Sequence, residues 1–279
     1  ALLLGILPKP EEDSPAVAGS DHALLEAIYD PKQPGSLARN IRSLMWSATH
    51  VRERLSLDHW HSLNRLQREL QTALKTRPTL SEAIAFLDRV LGVSSSLTGF
   101  AMDNMTRDDG WRFLIIGRRL ERLSFLANVV ANFLRMPSSR GPGNLEWLLE
   151  LADSIITYRS RYSRLPELLP VIDLLVFDDS NPHGVLFQAS VLARYLDRMA
   201  RELGEYSESN LPEVLARIRA FDLEPLEHLQ FSQCHICSPC EELAALLMEL
   251  DAAATQLAEW LGMRYFTHVG DVSRQTMAL

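Results

Sequence analysis

Cysteine is nearly absent, with three residues in 279, all between Cys234 and Cys240. So small a set provides no disulfide framework and suits a reducing compartment, which makes the cytoplasm the expected location. Glycine-rich phosphate loops are missing too. Neither Gly-x-x-x-x-Gly-Lys nor Gly-x-Gly-x-x-Gly occurs, so any ATP chemistry is expected to come only through a partner. A concentrated cationic face is also lacking. The formal net charge is −8 and the pI about 5.5, which argues against a nucleic-acid partner. Apolar runs such as Leu145 to Ile156 are short and broken by Glu and Asp, below the roughly 20 residues of a membrane span, so no bilayer-crossing segment is expected. The opening Ala-Leu-Leu-Leu-Gly-Ile-Leu has neither a basic flank nor an initiator Met. It is therefore not read as a signal peptide, and a preceding element is expected to have been trimmed.

What is present is helical. Hydrophobic residues make up 47% of the chain, ample for a sizeable core. Ser36 caps a helix to about Leu55 in which Leu37, Ile41, Leu44, Ala48, Val51 and Leu55 form one apolar face. Asp58 opens the next helix, and Thr79 with Glu82 forms a capping-box pattern before a helix reaching about Met105. Asp108 or Asp109 caps a long central helix that Pro137 closes, and Ser138 to Gly143 reads as a flexible joint. Further helices are predicted over 144–162, between Pro166 and Val176, from Asn181-Pro182 to Leu203, from Asn210 or Leu211 to Phe221, and from Ser238 to Gly262. Leu174-Leu-Val-Phe177 is the one short run that suits a strand. The expected fold is all-α, a single multi-helix bundle of roughly nine or ten helices. Residues 1–34 form a loosely packed leader with one short helix, and 35–279 the helical domain.

The central helix carries apolar residues on nearly every face from Phe113 to Leu134, which marks it as buried all round. Arg118, Glu121, Asn128 and Asn132 nevertheless fall on one stripe, with Arg119 and Arg122 beside it. Unpaired buried charge costs several kcal/mol, so these groups pair or face a cavity. Arg118 with Glu121, or Glu121 with Arg122, are the obvious local pairs. On the following helix Asp153, Thr157 and Arg161 form a second polar stripe, with Tyr158, Arg159 and Tyr162 beyond it. One reading is an ion-pair network that fixes helix register. The other is an anion pocket lined by Arg118, Arg119, Arg122 and Arg159, since guanidinium forks bind carboxylate or phosphate bidentately.

These blocks resemble a known family, the bacterial alpha-E domain, an all-helical domain named for a Glu-Arg motif. The resemblance rests on Asn104 to Arg122, Asp153-Ser-Ile-Ile-Thr-Tyr-Arg-Ser-Arg-Tyr162, Asp173-Leu-Leu-Val-Phe-Asp-Asp-Ser-Asn-Pro-His-Gly-Val-Leu-Phe-Gln188 and Tyr265-Phe-Thr-His268. Val51-Arg-Glu-Arg-Leu55 and Trp60-His-Ser-Leu-Asn64 add to it. The resemblance implies company with circularly permuted ATP-grasp ligases, transglutaminase-like peptidases and a proteasome-related peptidase, hence peptide or amide-bond metabolism. It carries no reaction. By motif it singles out Arg118, Arg119, Glu121, Arg122, Asp153, Arg159 and Asn181 as candidate ligand or partner contacts. The chain departs at His183-Gly184, where a basic residue and Ser are more usual, and it lacks the family's first Glu-Arg helix. Three functions stay open: an accessory binding module of an ATP-grasp system, an enzyme of amide-bond metabolism, and a purely structural interaction domain. The module, not catalytic in isolation, is the leading expectation.

Cys234, His235, Cys237 and Cys240, with His228 nearby, have spacing that suits Zn²⁺, but all would come from one short loop, so a metal-free loop is preferred. Cys240 in a helix's first turn is a potentially activated thiol, although the sequence shows no His–Asp partner for it. Trp46, Trp60, Trp111, Trp147 and Trp260 are expected in the core.

Overall fold

The capping signals at Ser36 and Thr79 do start helices. A computed structural model of the chain describes residues 18–76, 78–136, 142–162, 165–204, 210–227 and 238–266. Among these residues there is no strand, and the chain divides into two compact units, 1–111 and 112–279. That division falls inside the stretch expected as one domain.

The first unit holds α1 (Ala18–Tyr29), α2 (Leu37–His50), a 3-10 turn (Arg52–Arg54), α3 (Leu57–Thr76) and α4 (Leu80–Asp103). Ser36 Oγ accepts the Arg39 N–H at 3.2 Å and caps α2. At α4 the Thr79 N–H donates to Glu82 at 2.8 Å while Glu82 N–H reaches back to Thr79 Oγ1, a complete capping box. Tyr29 of α1 stacks on Phe86 of α4 at 5.6 Å between ring centroids, in a core with Ala38, Ile41, Leu66 and Leu70. The helix expected within a loose leader therefore packs against this core. On α2 the buried residues are Ala38, Ile41, Met45 and Ala48; Ile41 and Ala48 belong to the expected stripe, while Leu44 and Val51 are exposed. Trp46 and Trp147 are exposed rather than core, whereas Trp111 is buried and donates its indole N–H to Ala101 O at 2.9 Å. By length and composition α4 is long and apolar enough to cross a bilayer, although the sequence was expected to hold no such segment; its Gly, Ser and Thr residues hide it from a search for unbroken apolar runs.

α5 (Asp109–Arg135) opens where Asp108 Oδ1 accepts the Trp111 N–H at 3.0 Å. The second unit continues with α6 (Pro142–Leu151), α7 (Ile155–Tyr162), α8 (Leu168–Ile172), a wide helical turn (Asp173–Phe177), α9 (Val185–Leu203), α10 (Leu211–Arg219), α11 (Glu224–Glu227) and α12 (Ser238–Tyr265). Its core includes Leu123 and Val130 of α5, Leu148 and Leu149 of α6, Tyr158 of α7, Ile172, Leu174 to Val176, Leu192 of α9, and Leu247 and Leu250 of α12. Leu174 to Val176 are thus wound in a helical turn, not a strand.

Two boundaries differ from expectation and both shape the site. The helix expected over 144–162 breaks between α6 and α7, where Asp153 adopts φ 50°. Ser154 N–H donates to Leu149 O at 2.8 Å and Asp153 N–H to Glu150 O at 3.0 Å, the two bonds of a Schellman C-cap with Asp153 in the left-handed position usually taken by Gly. The break also ends the continuous stripe drawn through Asp153, Thr157 and Arg161. Asn181-Pro182 does not begin α9 either. Asn181 Oδ1 accepts the His183 N–H at 3.1 Å and Asn181 O accepts the Gly184 N–H at 2.8 Å, so a tight turn precedes the helix.

Replacing Thr79 by Ala removes one side of the capping box, and chemical denaturation is expected to show a loss of about 1 kcal/mol in the first unit.

Candidate functional site

The arginines of α5 sit against the α6–α7 break and the beginning of α9, within the second unit. A helix that is apolar on most faces offers charged side chains few exits, and here the stripe divides. Asn128 Nδ2 donates to Asp251 of α12 at 3.3 Å, Ser124 bonds the same carboxylate, and Asn132 donates to Asn128. Arg135 forks onto Glu241 of the same helix at 2.7 Å. That face is satisfied.

The other face is not. Arg119 Nη1 donates to Gln188 Oε1 at 2.9 Å and its guanidinium lies 5.6 Å from the Phe187 ring centroid, but its Nε is buried without a hydrogen-bond partner. Burial, then the neighbouring Arg118 and Arg122, pull the Arg119 pKa below the usual guanidinium value, and burial with Arg122 does the same to Arg118. Among the described residues neither these two nor Arg122 forms an ion pair. The second unit's arginine–carboxylate pairs join Arg112, Arg135, Arg159, Arg161, Arg198 and Arg217 to acids instead. The expected pairing of Glu121 with Arg118 or Arg122 does not form. Glu121 is exposed, whereas Arg122 is half-buried.

Arg122 lines a cavity of about 190 Å³ together with Phe125, Leu126, Leu151, Asp153 and His183. His183 Nε2 stands 3.6 Å from Asp153 Oδ2. Burial lowers the His183 pKa; Asp153 raises it, and Arg122 and Arg119 lower it further. The net result is an imidazole held neutral between one anion and two cations. Beneath it, three polar side chains are fully buried. Asn181 Nδ2 donates to Leu174 O at 3.0 Å and Ser154 Oγ at 3.2 Å, while Ser154 Oγ donates to Ala152 O at 3.1 Å. Gln188 Nε2 donates to Pro182 O, leaving its carbonyl to orient Arg119. The Asn181–Gly184 turn also leaves no space at Gly184, where a Cβ would lie 3.1 Å from Asp178 O and 3.2 Å from Asn181 O.

Of the seven residues singled out from sequence, the structure brings Arg119, Arg122, Asp153 and Asn181 together, with Arg118 beside them. Arg159 is not part of the site. The helix break turns it toward Glu146, with which it pairs at the surface. Sequence reasoning missed His183 and Gln188 as site residues. Gln188 could have been noticed as the polar residue among Val185, Leu186, Phe187 and Ala189. Of the cysteine cluster, Cys234, His235 and Cys237 lie outside the described residues, and Cys240 is 1% exposed, which shields its thiol from solvent. Among the described residues no group of three or more His, Cys, Asp or Glu is arranged to hold a metal ion. Larger grooves of about 500 and 750 Å³ flank Tyr29 in the first unit; Arg65, Arg68 and Arg89 line the smaller, where Arg89 is engaged by Glu69 at 2.9 Å, and no arginine lines the larger.

An all-helical fold with a Glu-Arg pair on its central helix defines the class of protein. Residues 3–266 match the Alpha-E family model, described as a predicted alpha-helical domain with a conserved ER motif, and the chain belongs to that family. It is 29% identical over 253 residues to an uncharacterised protein of Mycobacterium bovis and to two of Mycobacterium tuberculosis strains, covering 88% of this chain. The chain spans 28% of the length of these curated relatives. No solved structure matches it.

His183 makes stability pH-dependent in a defined direction. Its folded pKa lies below the unfolded value of about 6.5, so on acidification the unfolded chain takes up the proton first. Stability is full above pH about 6.5 and declines between there and the folded pKa. Denaturation midpoints measured from pH 7.5 downward should fall in that window, and His183→Gln should reduce the fall. A remainder is expected from His59, whose pKa burial also lowers.

Proposed function

We propose that this domain is a binding module that takes a carboxylate, presented by a peptide or by an acidic partner surface, on the arginines of α5. The observation that carries the reading is a half-buried guanidinium cluster that forms no ion pair among the described residues. Close like charges in a partly desolvated place repel one another, and an oxyanion relieves that repulsion while supplying acceptors. Arg119 Nε is a donor already buried and unspent, and Arg122 opens onto the cavity. A structural ion-pair network would instead have placed acids against these groups. The resemblance to a family found beside ATP-grasp ligases, transglutaminase-like peptidases and a proteasome-related peptidase supports an accessory role in a peptide or amide-ligase system, with ATP handled by the partner.

The His183–Asp153 contact at the cavity favours a second reading, an enzyme of amide-bond metabolism, because a neutral imidazole beside a carboxylate is a competent general base. Turnover of an amide substrate by the isolated chain, lost in His183→Gln, would establish it.

The test of the binding reading is calorimetric titration with N-acetyl-leucine, a minimal peptide with a free carboxylate. Arg122→Ala should keep the wild-type helical circular dichroism and weaken binding at least about tenfold, the scale of one charge-assisted hydrogen bond. Arg119→Ala should weaken it comparably. Variants that bind as the wild type does, or that simply unfold, return the cluster to a structural role.

A further inference from the structure

We infer that the cavity between Arg122 and Asp153 receives a single apolar α-amino acid unit, its carboxylate on the arginines and its nitrogen on Asp153. This rests on the arginine-cluster reading and adds the size, polarity and second contact of the ligand. The cavity holds about 190 Å³, below the roughly 300–1,000 Å³ of pockets that enclose drug-sized molecules, so one residue enters and a longer peptide leaves its remainder outside. Its walls are amphoteric. Arg122 is the cation, and Asp153 is an anion whose imidazole neighbour, at 3.6 Å, is held neutral. The Asp153 charge therefore remains free for an N–H donor on the ligand. Phe125, Leu126 and Leu151 complete the wall and suit an aliphatic side chain.

The backbone points the same way. Asp153 occupies the left-handed C-cap position at φ 50°, where Gly is the unstrained choice. Its side chain is 85% exposed and, among the described residues, its carboxylate is paired with His183 alone, so it contributes little to the fold that would offset the strain. A carboxylate at this position is accounted for by what it meets from solution. The nitrogen is either the ammonium of a free amino acid or the amide N–H of a peptide's last residue.

Three probes titrated into the intact chain separate the possibilities: 4-methylpentanoate with a carboxylate alone, leucine with an added ammonium, and N-acetyl-leucine with an added amide N–H. The expected result is that at least one nitrogen-bearing probe binds about tenfold tighter than 4-methylpentanoate, and that Asp153→Asn removes the difference. Tighter leucine identifies a free amino acid, and tighter N-acetyl-leucine a peptide C-terminus. Asp153→Gly should also lose the difference while unfolding at an equal or higher denaturant concentration, which separates ligand recognition from folding. If all three probes bind equally and Asp153→Asn changes nothing, the inference is overturned while the carboxylate site stands. If none binds in an Arg122-dependent way, both readings fail.

Discussion

The side chain of Asn181, fully buried, is the constraint on which the site's geometry depends. Its amide nitrogen donates to Leu174 O in the wide helical turn and to Ser154 in the α6–α7 break, while its oxygen holds the His183 N–H. One carboxamide thus ties its own turn to the wide helical turn 7 residues before it and to the α6–α7 break 27 residues before it. A buried amide left with a missing partner costs about 1–3 kcal/mol, so the three segments hold one another in place. That junction positions Asp153 and His183 in the lining of the cavity that Arg122 of α5 also borders.

The α5 side is built on different terms. α5 is rigid because apolar residues on most of its faces are packed, and its Ser124–Asn128–Asn132 side is satisfied by α12. Carried on a helix fixed by those contacts, Arg119 and Arg122 are held half-buried. Gln188 and the Phe187 ring hold Arg119 further, at the N-terminal end of α9. Desolvation and mutual repulsion are tolerated because the surrounding packing over-determines the helix. On the proposed reading, an electrostatically uncomfortable cluster supported by neutral polar groups would meet an anion with its positioning already complete.

Much of this was legible in the chain. Capping is local chemistry, so Ser36 and the Thr79–Glu82 box announced their helices correctly. Arg119 and Arg122 stood out because charge inside an apolar helix demands an explanation whatever the tertiary structure. The α6–α7 break was not legible: Asp153 takes a glycine's conformation without being glycine, and apolar residues continue on both sides. Arg159 was assigned to the site by the family motif and by an unbroken helix, and the break turns it toward Glu146 instead. Asn181-Pro182 imitates an N-cap followed by a first-turn proline, yet its side chain is spent on a turn and on tertiary bonds. His183 and Gln188 acquire meaning only once α9 is packed against α5, information that resides in long-range contacts.

The most direct measurement is nuclear magnetic resonance of the arginine Nε–H groups during titration with N-acetyl-leucine. The account predicts that the Arg119 and Arg122 signals shift saturably at a common midpoint, while that of Arg217, already paired with Glu249 at the surface, stays put. Unmoved Arg119 and Arg122 signals, or equal shifts at all three arginines, would contradict it.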